Sequence, residues 1–285
     1  MAAIKPGDEN GMYSSTPYDD AFRTMEGECD DLLIPLVNYF FNEEYGEEAR
    51  IIRLRNEHFI EHPDGSEEKR ITDSHFCIIQ KGVTKRYHLE CESGGYDSSI
   101  LLRMFEYTSQ IAIDDAEKGE AALIVRFPYV GLLLLSNNED TPDKAEIRIS
   151  TPEEEISYYV SIIKRQDIGL DEIFEKRLYF LIPFYIFNYR NKLSVIEKDE
   201  ERQEELLEKY REIYRRLRDA LKERKVTLFS YGVIIESMRR VSYNMTLGHE
   251  TVQKKVGDMM GGQIMDLEWI RVWKDGKTEG KKEGR

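Results

Sequence analysis

The sequence predicts an α/β fold carrying a C-terminal helical extension. Three observations point there. Two adjacent apolar stretches, Ile71–Ile79 and Lys85–Ser93, alternate with period two and read as one hairpin. Around them, helical spacing and short β-rich runs follow one another, the βαβ-like order in which helices cover a sheet. From about residue 197 an acidic run leads into apolar residues at three-to-four spacing, the mark of a long amphipathic helix.

The elements follow in order. Residues 1–15 read as disordered. Thr16 caps a helix with Pro17 at its first position, where the fixed φ of proline fits, and Phe22 and Met25 lie on its apolar side. Leu32, Leu33, Leu36, Val37 and Phe40 stripe a second helix over Asp30–Asn42. Ile51–Arg55 and His58–Glu61 read as a strand pair or one bent strand, and Pro63-Asp64-Gly65 as a turn. The hairpin closes through Gln80-Lys81-Gly82-Val83-Thr84. A two-residue Gly82-Val83 turn puts glycine first, as type II′ prefers. That register sets Asp73 opposite Glu92 and His75 opposite Glu90. Ser99–Ala116 is a helix burying Leu102, Phe105, Ile111 and Ala112, with Arg103 and Tyr107 on one face. Ala122–Ser136 reads as a buried strand kinked at Pro128, and Glu146–Ile149 and Ile156–Ile163 as strands. Asp171–Asn188 reads as an apolar helix interrupted near Pro183.

In the extension, Leu206, Tyr210, Ile213, Tyr214, Leu217 and Leu221 form the apolar stripe. The other face turns basic from Arg211 to Lys225, through Arg215, Arg216, Arg218, Lys222 and Arg224. Packing against the body, a coiled-coil contact in a homodimer, or a helix that tracks phosphate would each use this pattern. Val226–Leu247 reads as a further helix pair, Gly261-Gly262 as a helix break, and Trp273–Arg285 as a mobile Gly/Lys-rich tail. The chain thus divides into a disordered segment 1–15, a main domain 16–195, a helical extension 196–270 and a flexible basic tail 271–285.

Composition bounds the function. With 285 residues the chain can bury a substantial core. Its 41 Lys and Arg against 55 Asp and Glu give −14 at pH 7, which argues against a broad basic face for polyanions but allows a local one. Cys29, Cys77 and Cys91 are odd in number and lack metal-ligand spacing, which fits a reducing, cytoplasmic setting. MAAIKPGDENG is polar, without the apolar core of a signal peptide. Val130–Leu135 and Leu178–Phe187 fall short of the ~20 residues a membrane-spanning helix needs.

One constellation carries chemistry. Asp73 and His75 share a strand face, as do His88, Glu90 and Glu92 on the next strand, so the hairpin brings three carboxylates together. Directly opposed side chains have Cβ atoms roughly 4.5–5.5 Å apart. Carboxylates that close repel, and either a divalent metal or a neighbouring Arg or Lys relieves the repulsion. A solvated strand face with ordinary charges is the plainer alternative. The two histidines can bind metal, move a proton, or simply hydrogen-bond within the sheet. Gly94-Gly95 is a turn and lacks the lysine of a phosphate-binding loop.

The motifs TPYDDAFRTM, NEHF, ITDSHF, YHLECES, LLRMFEYTSQIA, VSIIKRQ and LDEIFEKRLYFLIPFYIF occur in that order over roughly residues 13–190. In this the chain resembles the PD-(D/E)XK nuclease superfamily, and within it the recombination-promoting nuclease group, also described as nuclease-family transposases. The resemblance implies a central mixed sheet flanked by helices and Mg²⁺-dependent (or Mn²⁺-dependent) endonucleolytic cleavage of DNA. It implies that Asp73 and Glu90 bind the metal. Glu92 stands where the superfamily has Lys and the group often Gln, so it completes the metal shell or acts as base. Arg103 matches the basic residue on the helix after the catalytic hairpin, contacting phosphate or steadying Glu90, or else pairing with Glu106 or Asp97. Asp19 matches the Asp that opens the first helix. The superfamily's first-helix acid has no clear match: Asn38 and Tyr39 occupy the place, with Glu43 and Glu44 beyond. A member that has lost catalysis and serves as a DNA- or protein-interaction module is the alternative.

Overall fold

The computed structural model describes residues 16–61 and 67–264. The expected disordered N-terminus, the Pro63-Asp64-Gly65 turn and the tail lie outside the described residues.

Thr16 and Asp19 open the first helix, α1 (Pro17–Glu28), with a capping box. The Thr16 hydroxyl accepts from the Asp19 amide, and the Asp19 carboxylate accepts from the Thr16 amide. Helix α2 (Asp30–Phe41) follows, and Arg53 ties the corner between them by donating to the Glu26 carbonyl and to Asp30. Next come β1 (Arg50–Arg53), β2 (Glu57–Glu61), β3 (Glu67–Ile71), β4 (Ser74–Gln80) and β5 (Val83–Glu92). The expected pairing of β1 with β2 does not occur. β1 pairs antiparallel with β4, while β2 and β3 form their own ribbon.

Helix α3 (Ser98–Asp114) then crosses to a short ribbon, β6 (Glu117–Lys118) with β7 (Leu123–Ile124), and to β8 (Tyr129–Leu134), β9 (Lys144–Ser150) and β10 (Glu155–Lys164). A single sheet results, in the order β1-β4-β5-β8-β10-β9. It is mixed: β5–β8 and β8–β10 are parallel and the other pairs antiparallel. The parallel β5–β8 pair needs a crossover, and α3 supplies it.

The two sheet faces have different covers. Ile100 and Met104 of α3 pack on Val130, Leu132, Val160 and Ile162. On the other face Phe76, Ile78, Tyr87, Leu89 and Leu133 join a large core with α1 and α2. That core extends through α4 (Leu170–Glu175), a 3₁₀ segment at Tyr179–Lys192, α5 (Leu193–Ile196), α6 (Glu200–Lys222), α7 (Leu228–Met245) and α8 (Glu250–Ile264), reaching Met260. The stripe on α6 is covered within the chain: Leu206, Tyr210, Ile213, Tyr214 and Leu217 are buried. Much of its basic face is neutralised by neighbours, Arg211 by Glu204 and Glu208, and Arg216 by Asp171 and Glu212. Among the described residues no helix is long and apolar enough to cross a membrane.

Several expectations are corrected. Helix α3 buries Ile100, Met104, Thr108, Ile111 and Ala112, while Leu102 is 62% exposed. The buried face thus includes a polar threonine, which has its own partner under the sheet. Residues Leu123–Ile124 are exposed ribbon, and β8 begins only after Pro128, which has no N–H to give a ladder. The apolar 171–188 stretch is a short helix and then a 3₁₀ coil around Pro183, with Tyr179–Phe187 wholly buried. A stretch buried on every side has no amphipathic period to read. Residues 228–245 form one helix, and Gly261-Gly262 lies inside α8.

Gly131 of β8 marks the closest approach in the core. A Cβ there would lie 2.7 Å from Leu89 Cδ2 and 2.9 Å from Phe40 Cδ1. Gly131→Ala should therefore cost about 1–3 kcal/mol by overpacking. Gly257→Ala, mid-helix in α8 with open space around it, should gain about 0.5–1 kcal/mol. Urea unfolding of both variants measures the contrast, and equal shifts would contradict the packing described.

Candidate functional site: an acidic clasp on the β4–β5 hairpin

The β4–β5 turn is Lys81-Gly82, not Gly82-Val83. Lys81 and Gly82 have φ of +50° and +78°, and Gln80 pairs with Val83. Positive φ at both central positions is the type I′ form, whose twist matches that of the strands. The expected register is therefore two residues out. His75 faces His88, Ser74 faces Leu89, and one step on Asp73 comes level with Glu90 instead of Glu92. A slip of two keeps every side chain on its face, so the carboxylates still meet.

Beyond Ser74 the ladder gives way to a reciprocal clasp. The Asp73 amide donates to Glu90 Oε1 at 3.1 Å, and the Cys91 amide donates to Asp73 Oδ2 at 3.0 Å. The Ser74 hydroxyl donates to the Leu89 carbonyl and accepts from the Leu89 amide, both at 3.1 Å. The hairpin backbone thus holds both carboxylates.

Side chains from three elements complete the cluster. Arg23 of α1 donates through Nε and Nη2 to Asp73 Oδ1, at 3.2 and 2.9 Å. His88 Nε2 lies 2.9 Å from Glu90 Oε1, and its Nδ1 lies 3.1 Å from the Thr108 hydroxyl of α3. Thr108 also donates to the Met104 carbonyl at 2.6 Å. Glu92 is more open: Arg103 Nη2 donates to Oε2 at 2.7 Å and the Gly94 amide to Oε1 at 2.9 Å. Arg190 reaches the same strand ends, donating to the Ser93 carbonyl and the Ser136 hydroxyl.

Asp73 and Glu90 are 7% and 4% exposed, among the most buried acids described. Burial and the charge of Glu90 push the Asp73 carboxyl up to about 7, against the opposing pull of the Cys91 amide and Arg23. Even with an arginine attached, the clasp is short of positive charge.

Of the residues expected at the site, Asp73, Glu90, Glu92 and Arg103 come together. Arg103 pairs with Glu92 at 2.7 Å. Asp19 sits in the α1 capping box, accepting from the Thr16 amide. It also lies close enough to Cys91 that, after burial, its charge joins that of Asp73 in raising the thiol. Asn38 and Tyr39 are structural: Asn38 brackets Tyr45 with two hydrogen bonds, and the Tyr39 hydroxyl donates to Glu172. Glu43 pairs with Lys85. His75 hydrogen-bonds the Arg55 carbonyl. Arg23 and Thr108 went unread in the sequence. Arg23 lies one helical turn after Asp19, a spacing that puts both on one face.

A divalent metal, which the resemblance implies, fits this donor set in one respect. Among the described residues no group of three or more His, Cys, Asp or Glu is arranged to hold an ion. Mg²⁺, however, is commonly bound through one or two carboxylates, with water and substrate phosphate completing its shell. Asp73 and Glu90 would supply those two carboxylates, and two buried acids beside one arginine suit a cation.

The clasp also sets a pH dependence. Glu26 of α1 is likewise raised to about 7, by burial foremost. A carboxyl whose folded pKa lies above its unfolded value stabilises fully below that unfolded value, 3.8 for Asp73 and 4.5 for Glu26, and the contribution is lost as pH rises through about 7. Thermal unfolding should therefore show Asp73→Asn/Glu26→Gln gaining on wild type by on the order of 5 °C at about pH 8.5, with the gain fading by about pH 4. A pH-independent gap between the two would contradict the burial argument.

No protein-family model matches this chain, and no curated protein or solved structure matches it.

Proposed function

We propose that this chain is a Mg²⁺-dependent DNA endonuclease of PD-(D/E)XK type. The observation that carries the reading is the buried Asp73–Glu90 clasp, built on main-chain amides and short of positive charge. Its setting supports the resemblance. Among the strands of the large sheet, in chain order, Asp73 immediately precedes the second and Glu90 lies on the third.

Asp73 and Glu90 would hold the ion. When bound, it would supply an acidified water and neutralise charge developing on the phosphate. The chain's own groups do the rest. His88, braced by Thr108, fixes the rotamer of Glu90. Arg103 brings a guanidinium to the position where the superfamily has lysine, carried there by Glu92. Arg23 and Arg103 flank the clasp and are each more than a third exposed, open to a phosphate that planar guanidinium groups suit. The second reading, an interaction module without catalysis, is favoured by one observation: Arg23 already occupies Asp73.

Two measurements separate these readings. In calorimetry Mn²⁺ should bind wild type, with Asp73→Asn weakening it at least about tenfold, the loss of one charged ligand. Supercoiled plasmid should be nicked with Mg²⁺ by wild type and not by Asp73→Asn. Equal Mn²⁺ binding by the two proteins would sink the metal assignment, and metal binding without nicking would leave the interaction module.

Arg23→Gln should move the two readouts in opposite directions. Removing the competing cation should tighten Mn²⁺ several-fold, while nicking falls by about 10-fold or more as a phosphate contact is lost. If Mn²⁺ affinity drops instead, Arg23 orients Asp73 for the ion and does not compete with it.

A further inference from the structure

A second site stands out on the α2 side of the large core. A cavity of about 730 Å³ opens between α2, the Tyr45–Ala49 stretch and the C-terminal ends of α4 and α6. Tyr39 and Tyr45 line it together with Lys176, Arg177, Arg224 and Lys225.

Arg177 and Arg224 have φ of +56° and +58°. Each follows the last turn of its helix. The Leu178 amide closes back on the Ile173 carbonyl behind Arg177, and the Lys225 amide on the Ala220 carbonyl behind Arg224. This closure ordinarily uses glycine, because a side chain strains the left-handed backbone. Here both helices spend an arginine on it, and both arginines line the same cavity. Cations suit helix C-termini, and Lys176 and Lys225 sit beside them, each paired with a glutamate, Glu172 and Glu223. Among the described residues neither guanidinium has a hydrogen-bond or ion-pair partner.

The acidic lining is largely engaged elsewhere. Asp30 pairs with Arg53, and Asp31 accepts from the Thr227 amide and the Ser230 hydroxyl. Asp31 keeps its charge, since both partners are neutral donors, and the exposed Glu47 keeps its own. Ile34, Pro35 and Ala49 give the cavity an apolar part. Its volume lies within the range of small-molecule sites, and strained residues gather where function holds them.

We propose that this cavity binds a nucleotide-sized phosphorylated ligand. Arg177 and Arg224 present their donors to phosphate oxygens, for which the guanidinium fork is suited, and the tyrosines and apolar residues take the remainder. A free nucleotide and the 5′-phosphorylated end of a strand share this chemistry. The site is independent of Asp73 and Glu90.

The test titrates ATP, and oligothymidylate with and without a 5′-phosphate, into the full chain in metal-free buffer. Wild type should bind ATP or the phosphorylated oligonucleotide, and which of them binds identifies the source. Arg177→Gly/Arg224→Gly should weaken that binding more than about tenfold through two lost charged contacts. The double variant suits the backbone better than wild type, so it folds, with its Tm unchanged or raised by about 2–4 °C per site. Glu47→Gln should tighten binding. The proposal is overturned if wild type binds neither probe, if it binds phosphorylated and unphosphorylated strands alike, or if the glycine variant binds as tightly as wild type.

Discussion

The site rests on two hydrogen bonds that run in opposite directions across one hairpin. Asp73 offers its amide to the side chain of Glu90, and the strand bearing Glu90 offers the Cys91 amide to the side chain of Asp73. Neither carboxylate can swing away without leaving a buried amide unpaired, which costs more than the bond itself contributes. Two like charges are thereby held together in the protein interior. Much of the surroundings answers that constraint: Arg23 from one helix, the His88–Thr108 pair beneath, and Arg103 beside Glu92. Natural chains tolerate such local cost where a site requires it.

How far the sequence foretold this depends on which physical signal each feature leaves. Strand alternation is written in every second residue, so the faces of β4 and β5 were readable and the convergence of Asp73 with Glu90 followed. Register depends on turn geometry, and Gly82 permits two turns. The type II′ choice put glycine first, while the twist of the strands favours a turn in which Lys81 also takes positive φ. The clasp itself was not readable, since it replaces a regular ladder with side chains at the point where β4 begins. Arg23 was hidden for a different reason. It acts across fifty residues of sequence, and no local pattern marks a long-range ion pair.

The helices show the same division. Capping is local chemistry, and Thr16-Pro17 gave the start of α1 while the apolar stripe gave both ends of α2 closely. The α3 face was set off line because apolar residues stand on both sides of the helix, with Ile100 and Met104 buried and Leu102 exposed, and the buried Thr108 is polar. It is buried to serve His88, and an apolar pattern cannot include it. The 179–192 segment defeats periodicity altogether, being buried on every side. Net charge misleads in a similar way. The total is −14, yet among the described residues two unpaired arginines stand beside one cavity, and Arg23 and Arg103 stand beside the buried acids. Local fields at clefts, and not the sum, decide what a surface meets first.

The corner where Asp31 meets the start of α7 has a consequence for the order in which the molecule is made. Asp31 accepts from Thr227 and Ser230, partners 196 and 199 residues later, and α7 packs directly on α1. On the ribosome the first two helices are finished long before their cover is translated. At the usual ~5–20 residues per second, they wait tens of seconds with Phe22, Leu33 and Leu36 unsheltered. The clasp can close as soon as the hairpin forms, but the face beneath it cannot. The nascent chain thus passes through a stage in which its acidic clasp is assembled on an open, adhesive scaffold, and the C-terminal helices end that exposure.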